Sequence, residues 1–398
     1  MKTGVNNSHI RVMNQRTILE AIYNRDAVSR AELARILNMS KPAMAVNVSE
    51  LLQLGIVREI GEGHCAEGGG RKPIMLQFNK EFRYIVAIDF YYSNSIFVLC
   101  DLRGQVRNRF AIRQTPSQNF DSWVDMCRNA IMTLLASQSL TPADLAAIGV
   151  SSPGVIHDEH QLFINSDRFG DYNIKQFYAA LTQAFKCPVY IRNSTNASAL
   201  GEWDCGAGQG VDNLLYVSCG QGLGSGMILG GKLYEGNCAA AGEIANFITP
   251  QSLDAPQSLE GRLCIAGLLD KVNNGYADGV RTLLRKEFAD FYDVVELWNQ
   301  GNAFVQQAVE QIALELGCAI CNLVMTLNCD LVILGGEYLV FQRVLLPRIN
   351  EMVQKHCIIP ARVVASELGD NASTTGMVAI CRSLFFQKVA ACSQNGAQ

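Results

Sequence analysis

The sequence contains no run of about 18 uncharged apolar residues, so no membrane-spanning helix is expected. Its opening segment, MKTGVNNSHIRVMNQR, has no apolar stretch of the kind a secretory signal needs. Short-period repeats and low-complexity tracts are also lacking. Cysteine is not scarce, at 14 residues, but the cysteines lack the spacing of a disulfide framework. They are expected to be buried free thiols in a reducing cytoplasm. Cys318 and Cys321 form a CxxC inside a long apolar helical pattern, VQQAVEQIALELGCAICNLVMTL. Core thiols on a helix are the expectation there, rather than redox or metal chemistry. With 398 residues, 49% of them hydrophobic, the chain can bury two or three cores.

What is present first is a short helical unit near the N-terminus. Arg16 to Asn24 places Ile18, Leu19 and Ile22 on one helical face. Leu33, Ile36 and Leu37 repeat that spacing, with Ser29 as N-cap and Glu32 as its capping-box partner. Ser40 caps a third helix, and Pro42 stands in its first turn, where a missing N–H costs nothing. Met44, Val48 and Leu51 are spaced to face a small core. Lys41, Pro42, Ala45 and Ser49 are left on the outer face that would enter a major groove of double-stranded DNA. Gly55 ends the helix, Ile56-Val57 opens a strand, and GEGHCAEGGGRKP resembles a wing tip whose Arg71 and Lys72 could reach phosphates. Residues 1–80 hold eleven Lys and Arg against seven Asp and Glu, a balance of +4 in a chain of −4 overall. A basic head on an acidic body suits a DNA-binding module, although a three-helix bundle docked to a protein partner would share the pattern.

From Tyr84 the pattern changes. YIVAIDF, SIFVLCD and VRNRFAIR are successive strands, a helix covers about 120–137, and LAAIGVSSPGVI is a strand entering a glycine-proline loop. PVYIRNS is a strand leading into the helix of TNASALGEWDC. LLYVSCGQGLGSGMILGGKLYEG contains two strands around a glycine-rich turn, and CDLVILGGEYL is a strand ending at Gly335-Gly336. Strands alternating with helices argue for an α/β architecture, and two such clusters suggest two lobes around a cleft.

Together, SRAELARILNMSK, GGGRKP, GVSSPGVI, NASALGE, GQGLGSGMILGGKLYEGNCAAAGEI, DLVILGG and LGDNASTTG resemble the ROK family (repressors, open reading frames and kinases), in its DNA-binding branch, over nearly the whole length. The resemblance implies a winged helix-turn-helix followed by an actin-like, hexokinase-like (ribonuclease H-like) two-lobed domain with an ATP- and sugar-binding cleft. It divides the chain into a head over 1–80, a first lobe over 81–200 completed by a C-terminal helix over about 373–398, and a second lobe over 201–372.

The same resemblance exposes departures. A sugar kinase needs a general base beside the attacking hydroxyl, and the family supplies an Asp from an Asn-Asp-x-Asn-Ala segment. Here that segment is Asn193-Ser194-Thr195-Asn196-Ala197, so Ser194 stands at the base position, and loss of such a base typically costs ~10²–10⁴ in rate. The family's first phosphate loop, Asp-x-Gly-Gly-Thr, reads Asp89-Phe90-Tyr91-Tyr92-Ser93, and the second, Gly220 to Gly224, has Gln221 where threonine is usual. The family's structural zinc takes one His and three Cys; Asn246, Gln251, Leu253 and Ser258 occupy those places, so no metal and no cofactor is expected. Cys238 and Cys264 flank the region and are expected in the core.

Sugar-contacting positions survive in part. Asn193, Glu243 and Glu260 match the family's hydroxyl-binding residues, Asn246 and Ser194 can hydrogen-bond a hydroxyl, and Asp167 lies near another sugar-contacting position. These residues could instead be a relic cleft that caps helices. The resulting expectation is a cytoplasmic, sugar- or sugar-phosphate-responsive DNA-binding regulator, a repressor without enzymatic activity, working as a homodimer or homotetramer on a double-stranded operator. A kinase carrying a DNA-binding head, and a regulator controlled by a protein partner, stay open as alternatives.

Overall fold

Three short helices and a small sheet form the head. The computed structural model describes residues 7–63, 72–91, 94–113, 120–157, 162–164, 174–249, 258–279 and 290–392. Helix α1 is Asn7–Tyr23, strand β1 Val28–Ser29, α2 Arg30–Ile36, α3 Lys41–Leu54, β2 Val57–Glu62 and β3 Ile74–Phe78. Helix α1 starts nine residues before the expected Arg16, because Arg11 and Gln15 both bond the Glu50 carboxylate of α3 and hold the extra turns in place. Ser29 and Glu32 form the expected reciprocal cap, the Ser29 N–H donating to Glu32 at 2.8 Å and the Glu32 N–H to the Ser29 hydroxyl at 3.2 Å. These bonds hold the Glu32 carboxyl below its usual range. One core assignment fails: Ile36 is exposed. Helix α2 is only seven residues long, and Ile36 lies about 60° round from buried Leu33, outside the narrow stripe that the small core covers. Gly55, at φ 82°, closes α3 in the left-handed conformation. Strands β2 and β3 pair as the wing, and β1 adds a third strand that periodicity did not signal.

The body contains two five-stranded sheets. The first uses β4 (Tyr84–Tyr91), β5 (Asn94–Asp101) and β6 (Val106–Ile112). Helix α4 (Phe120–Ala136) follows, then β7 (Leu145–Ser152), the small hairpin β8 (Val155–His157) and β9 (Leu162–Ile164), α5 (Ile174–Phe185), β10 (Val189–Asn193) and α6 (Ser194–Cys205). Its order is β10-β7-β4-β5-β6. Strand β7 is buried along its whole length, as a central parallel strand covered on both faces must be.

The second sheet uses β11 (Leu214–Cys219), β12 (Leu223–Leu229) and β13 (Lys232–Leu233). Helices α7 (Leu259–Leu263), α8 (Ile265–Gly279), α9 (Phe291–Asn299) and α10 (Ala303–Leu327) follow. Then come β14 (Leu331–Gly335), α11 (Gln342–His356), β15 (Arg362–Ala365) and α12 (Ala372–Cys392). Its order, β13-β12-β11-β14-β15, is the first sheet's pattern again: a central strand with an antiparallel hairpin on one side and parallel strands on the other. Helix α10 is long and apolar enough to cross a membrane by length and composition, but its buried face, including Ile312, Leu316 and Ile320, belongs to the core of this unit. Cys321 is buried as expected, whereas Cys318, three residues round the helix, is exposed. Likewise Cys264 is buried but Cys238 only partly so.

Helices α6 and α12 join the parts. They meet backbone to backbone: a Cβ on Gly376 would lie 1.7 Å from the Ala197 carbonyl oxygen, and one on Gly201 2.3 Å from that of Ala372. Glu202 of α6 is fully buried; its carboxylate accepts from the Ser366 hydroxyl and from the Leu368 N–H at 3.0 Å, pinning the segment that leads into α12. The end of α6 reaches the head. Asp204 pairs with Arg382 of α12 at 2.7 Å, and the Arg382 guanidinium lies 4.8 Å from the Tyr23 ring of α1. Tyr23, Phe78 and Phe386 pack edge to face with centroids 5.3–5.6 Å apart, so head and body share one hydrophobic cluster.

Two outcomes follow from this joint. Gly376→Ala has no space for its methyl against rigid backbone, and a loss of at least about 3 kcal/mol in urea unfolding is expected. Arg382→Met leaves the half-buried Asp204 carboxylate without its partner and should cost about 1–3 kcal/mol after allowance for its partial exposure. Adding Asp204→Asn should recover part of that loss; strict additivity of the two would show that the pair does not interact.

Candidate functional site

The outer face of α3 is the first candidate. Ser40 caps it, its hydroxyl accepting from the Ala43 N–H at 3.4 Å, while Met44, Val48 and Leu51 anchor the opposite face in the head's core. Ser40, Lys41, Pro42, Ala45 and Ser49 are all exposed. Val46, also exposed, extends this face with an apolar side chain. On the wing, Lys72 is exposed and 4.0 Å from Glu62, and Arg30 of α2 bridges to Glu59 of β2 at 2.7 Å. Arg71 lies outside the described residues, as does Asp167.

The second candidate lies where α6 begins, between the two sheets. Asn193 ends β10 and caps α6. Its side-chain oxygen accepts from the Thr195 N–H at 2.8 Å and the Asn196 N–H at 3.0 Å, and its amide donates to the Gly154 carbonyl at 2.8 Å. Its amide is thus largely spent on local structure. Ser194 lines a cavity of about 320 Å³ together with Asp89, Tyr216, Glu337 and Asp370. Asp89 accepts from the Ser151 hydroxyl at 2.7 Å, and complete burial pushes its carboxyl up.

Glu243 is placed by its neighbour. Gly242, at φ 89°, passes so close to β12 that a Cβ would lie 2.3 Å from the Ser225 carbonyl oxygen. The Gly242 carbonyl in turn accepts from the Ser225 hydroxyl at 2.8 Å. On the facing side β12 packs on α6, with Gly224 against the Thr195 hydroxyl, so Gly242 and the start of α6 both lie against β12, while neither Glu243 nor Glu260 is among the residues that line the cavity with Ser194. Its carboxyl is raised, chiefly by burial and secondly by the nearby Glu260 carboxylate, and it accepts no hydrogen bond from any described residue. Glu260 is partly used, one oxygen accepting from the Leu223 N–H at 3.1 Å. Asn246 departs from the expected cluster: it closes a 3₁₀ turn and its side chain is exposed. The turn is set by Gly242 and Ile244, which bury Ile244 and Ala245 and leave Asn246 outward.

A zinc ion does not fit here. Asn246 faces solvent, and the Ser258 hydroxyl is committed to capping α7 through the Gly261 N–H at 3.2 Å. Gln251 and Leu253 lie outside the described residues, and neither is a thiolate or imidazole donor. Among the described residues no group of three His, Cys, Asp or Glu is arranged to hold a metal. Strands β4 and β5 remain paired as far as Tyr91 and Asn94. The side chains of Tyr91 and Tyr92 fall outside the described residues.

A two-lobed, duplicated α/β body with a cleft at the first helix after β10, carrying a winged head, defines a class of sugar-kinase-like regulators. The ROK family model matches residues 85–383, and the chain belongs to that family. It is 28% identical to the xylose repressor of Bacillus subtilis over 96% of this chain and 97% of that protein. It is 24% identical to the xylose repressor of Caldicellulosiruptor bescii over 94% and 96%. Among solved structures it resembles a ROK family transcriptional regulator homologous to the E. coli Mlc protein, with TM-score 0.82 at 20% identity, covering 96% of this chain and 98% of that one. A ROK family glucokinase from Streptomyces griseus aligns with 75% of the chain and 98% of its own length, at TM-score 0.64 and 21% identity. The kinase aligns with three-quarters of the chain, the regulator with nearly all of it.

The Glu243 environment has a checkable consequence. Its carboxyl holds a proton more tightly in the folded chain than unfolded, so its contribution to stability falls as pH rises from the ordinary glutamate range through the raised one. Glu243→Gln should therefore raise the melting temperature at neutral pH and flatten that pH dependence. A variant less stable at pH 7 than its parent would mean that the carboxylate is held by bonds the geometry does not show.

Proposed function

We propose that the chain is a sugar-responsive, DNA-binding transcriptional repressor whose kinase-like body senses its effector without phosphorylating it. The observation that carries this is the head: a winged helix-turn-helix whose α3 turns Lys41, Pro42, Ala45 and Ser49 outward while its base is locked to the body through Tyr23, Phe78 and Phe386. Small apolar groups on that face suit thymine methyls rather than bidentate base contacts, so Lys41, Ser49, the wing residues Arg71 and Lys72, and DNA shape carry recognition. One such module offers few contacts, and a homodimer or homotetramer would read two half-sites of a double-stranded operator. The working place of such a regulator is the cytoplasm.

The effector is a neutral sugar, and the relatives named xylose repressors favour a pentose. Glu243 is the residue best placed to accept from vicinal hydroxyls, with Glu260 beside it and Ser194 and Asn193 at the helix end. Ser194 has no basicity to activate a hydroxyl, which is why binding would not lead to transfer. A path to the head is built in. Helix α6, 12 residues and roughly 18 Å long, starts at the effector cleft and ends at the Asp204–Arg382 contact against Tyr23. A sugar that re-seats the first turn of α6 would move the head, by no more than its affinity differs between the two positions.

The test is twofold. D-Xylose, other sugars and sugar phosphates are screened by thermal shift, where a ligand at 100 times its Kd adds ~2.7 kcal/mol. DNA affinity is then read by fluorescence anisotropy on sequences enriched from a random pool, with and without the best sugar. Lys41→Ala should weaken binding similarly across sequences and lower the log–log salt slope by about 0.9. Glu243→Gln should abolish the sugar response and leave DNA binding intact; loss of both together would contradict a separable sensor.

A further inference from the structure

The glycine loop between β11 and β12 has a shape that could cradle a phosphate, but three of its amides are already committed. The Gly220 N–H donates to the Gly222 carbonyl at 3.0 Å, the Gln221 N–H to the Glu337 carboxylate at 3.3 Å, and the Leu223 N–H to the Glu260 carboxylate at 3.1 Å. Glu337 sits directly on the loop: a Cβ on Gly220 would lie 1.8 Å from its Oε2. It is delivered there by Gly336, whose φ of 85° lets the backbone pass within contact of Cys219, where a Cβ would lie 2.4 Å from the Cys219 carbonyl oxygen. The cavity below the loop is lined by three carboxylates, Asp89, Glu337 and Asp370, and by no Lys or Arg among the described residues.

We propose that Glu337 is a specificity-determining residue that fills the loop's anion position with the chain's own carboxylate and so excludes nucleoside triphosphates from the cleft. Backbone amides at a tight glycine turn form an anion-binding concavity, and the group that occupies one decides what else can. A carboxylate there both takes the Gln221 amide and repels an incoming phosphate at close range, where the interaction is screened least. Glu260 secures the other end of the same loop. The cleft is thereby left to uncharged, hydroxyl-bearing ligands. This rests on the loop geometry alone and holds whether or not the chain answers to a sugar.

The experiment is calorimetric titration of the full-length protein with Mg·ATP and, separately, with inorganic tripolyphosphate. The wild type should bind neither appreciably. Glu337→Ala should bind both at least about tenfold more tightly, Glu337→Gln should fall between, and Asp370→Asn, which removes a cleft charge not seated on the loop, should change much less. Unchanged melting temperatures and DNA binding would establish that the variants are folded. The proposal is overturned if the wild type binds tripolyphosphate as well as Glu337→Ala does, if neither Glu337 variant gains binding, or if Asp370→Asn gains as much as Glu337→Ala. A gain with tripolyphosphate but not ATP would still support it and would place the remaining obstacle at the adenosine side.

Discussion

The contact between α6 and α12 is the constraint on which the rest of the molecule depends. Where Gly201 and Gly376 face each other's neighbours, the two backbones approach too closely for any side chain. Two helices packed in this way cannot slide or rotate independently, because close-packed interiors resist small displacements. Everything functional hangs on that pair. Helix α6 carries Asn193 and Ser194 at one end and Asp204 at the other, and α12 lies against β7 of the first sheet while reaching Tyr23 and Phe78 of the head with Phe386.

Two carboxylates show how charge is used inside this frame. Glu202 is fully buried yet accepts from a hydroxyl and from backbone N–H groups, which is what makes an anion tolerable there. Glu243 is partly buried beside another carboxylate and has no such partners among the described residues, a strained arrangement that a purely structural residue would not need. The contrast is between a carboxylate whose partners hold the fold and one without such partners among the described residues. Glu337 is a third case, an anion seated on the glycine turn between β11 and β12.

The body also shows what duplication leaves behind. Both sheets run one antiparallel hairpin and two parallel additions from a central strand. In the first, β4 and β5 stay paired as far as Tyr91 and Asn94; in the second the β11–β12 turn keeps its glycines. A carboxylate from beyond the end of β14 sits on that second turn. The repeat is not visible as sequence periodicity, because only the strand order and the turn positions are shared.

Local signals in the sequence were enough for the head and the class of fold. Ser29 with Glu32, Ser40 with Pro42, and Gly55 are interactions between residues three or four apart, so they can be read from the chain alone. Alternating strands and helices fixed an α/β body for the same reason. The departures at Ser194 and at the zinc positions were legible as residue types. What the tertiary structure decided was everything that depends on distant partners. Ile36 turned out exposed because a short helix presents a narrow face, and Asn246 because the turn after Gly242 points it outward. Asn193 caps α6 through bonds that residue type alone did not reveal. Glu337 and Glu202 were not singled out at all; each follows or precedes residues of ordinary appearance, and their meaning comes from loops 116 and more than 160 positions away. A sequence determines which groups are available, and only the packing of α6, α12 and the two sheets determines which of them are already spent.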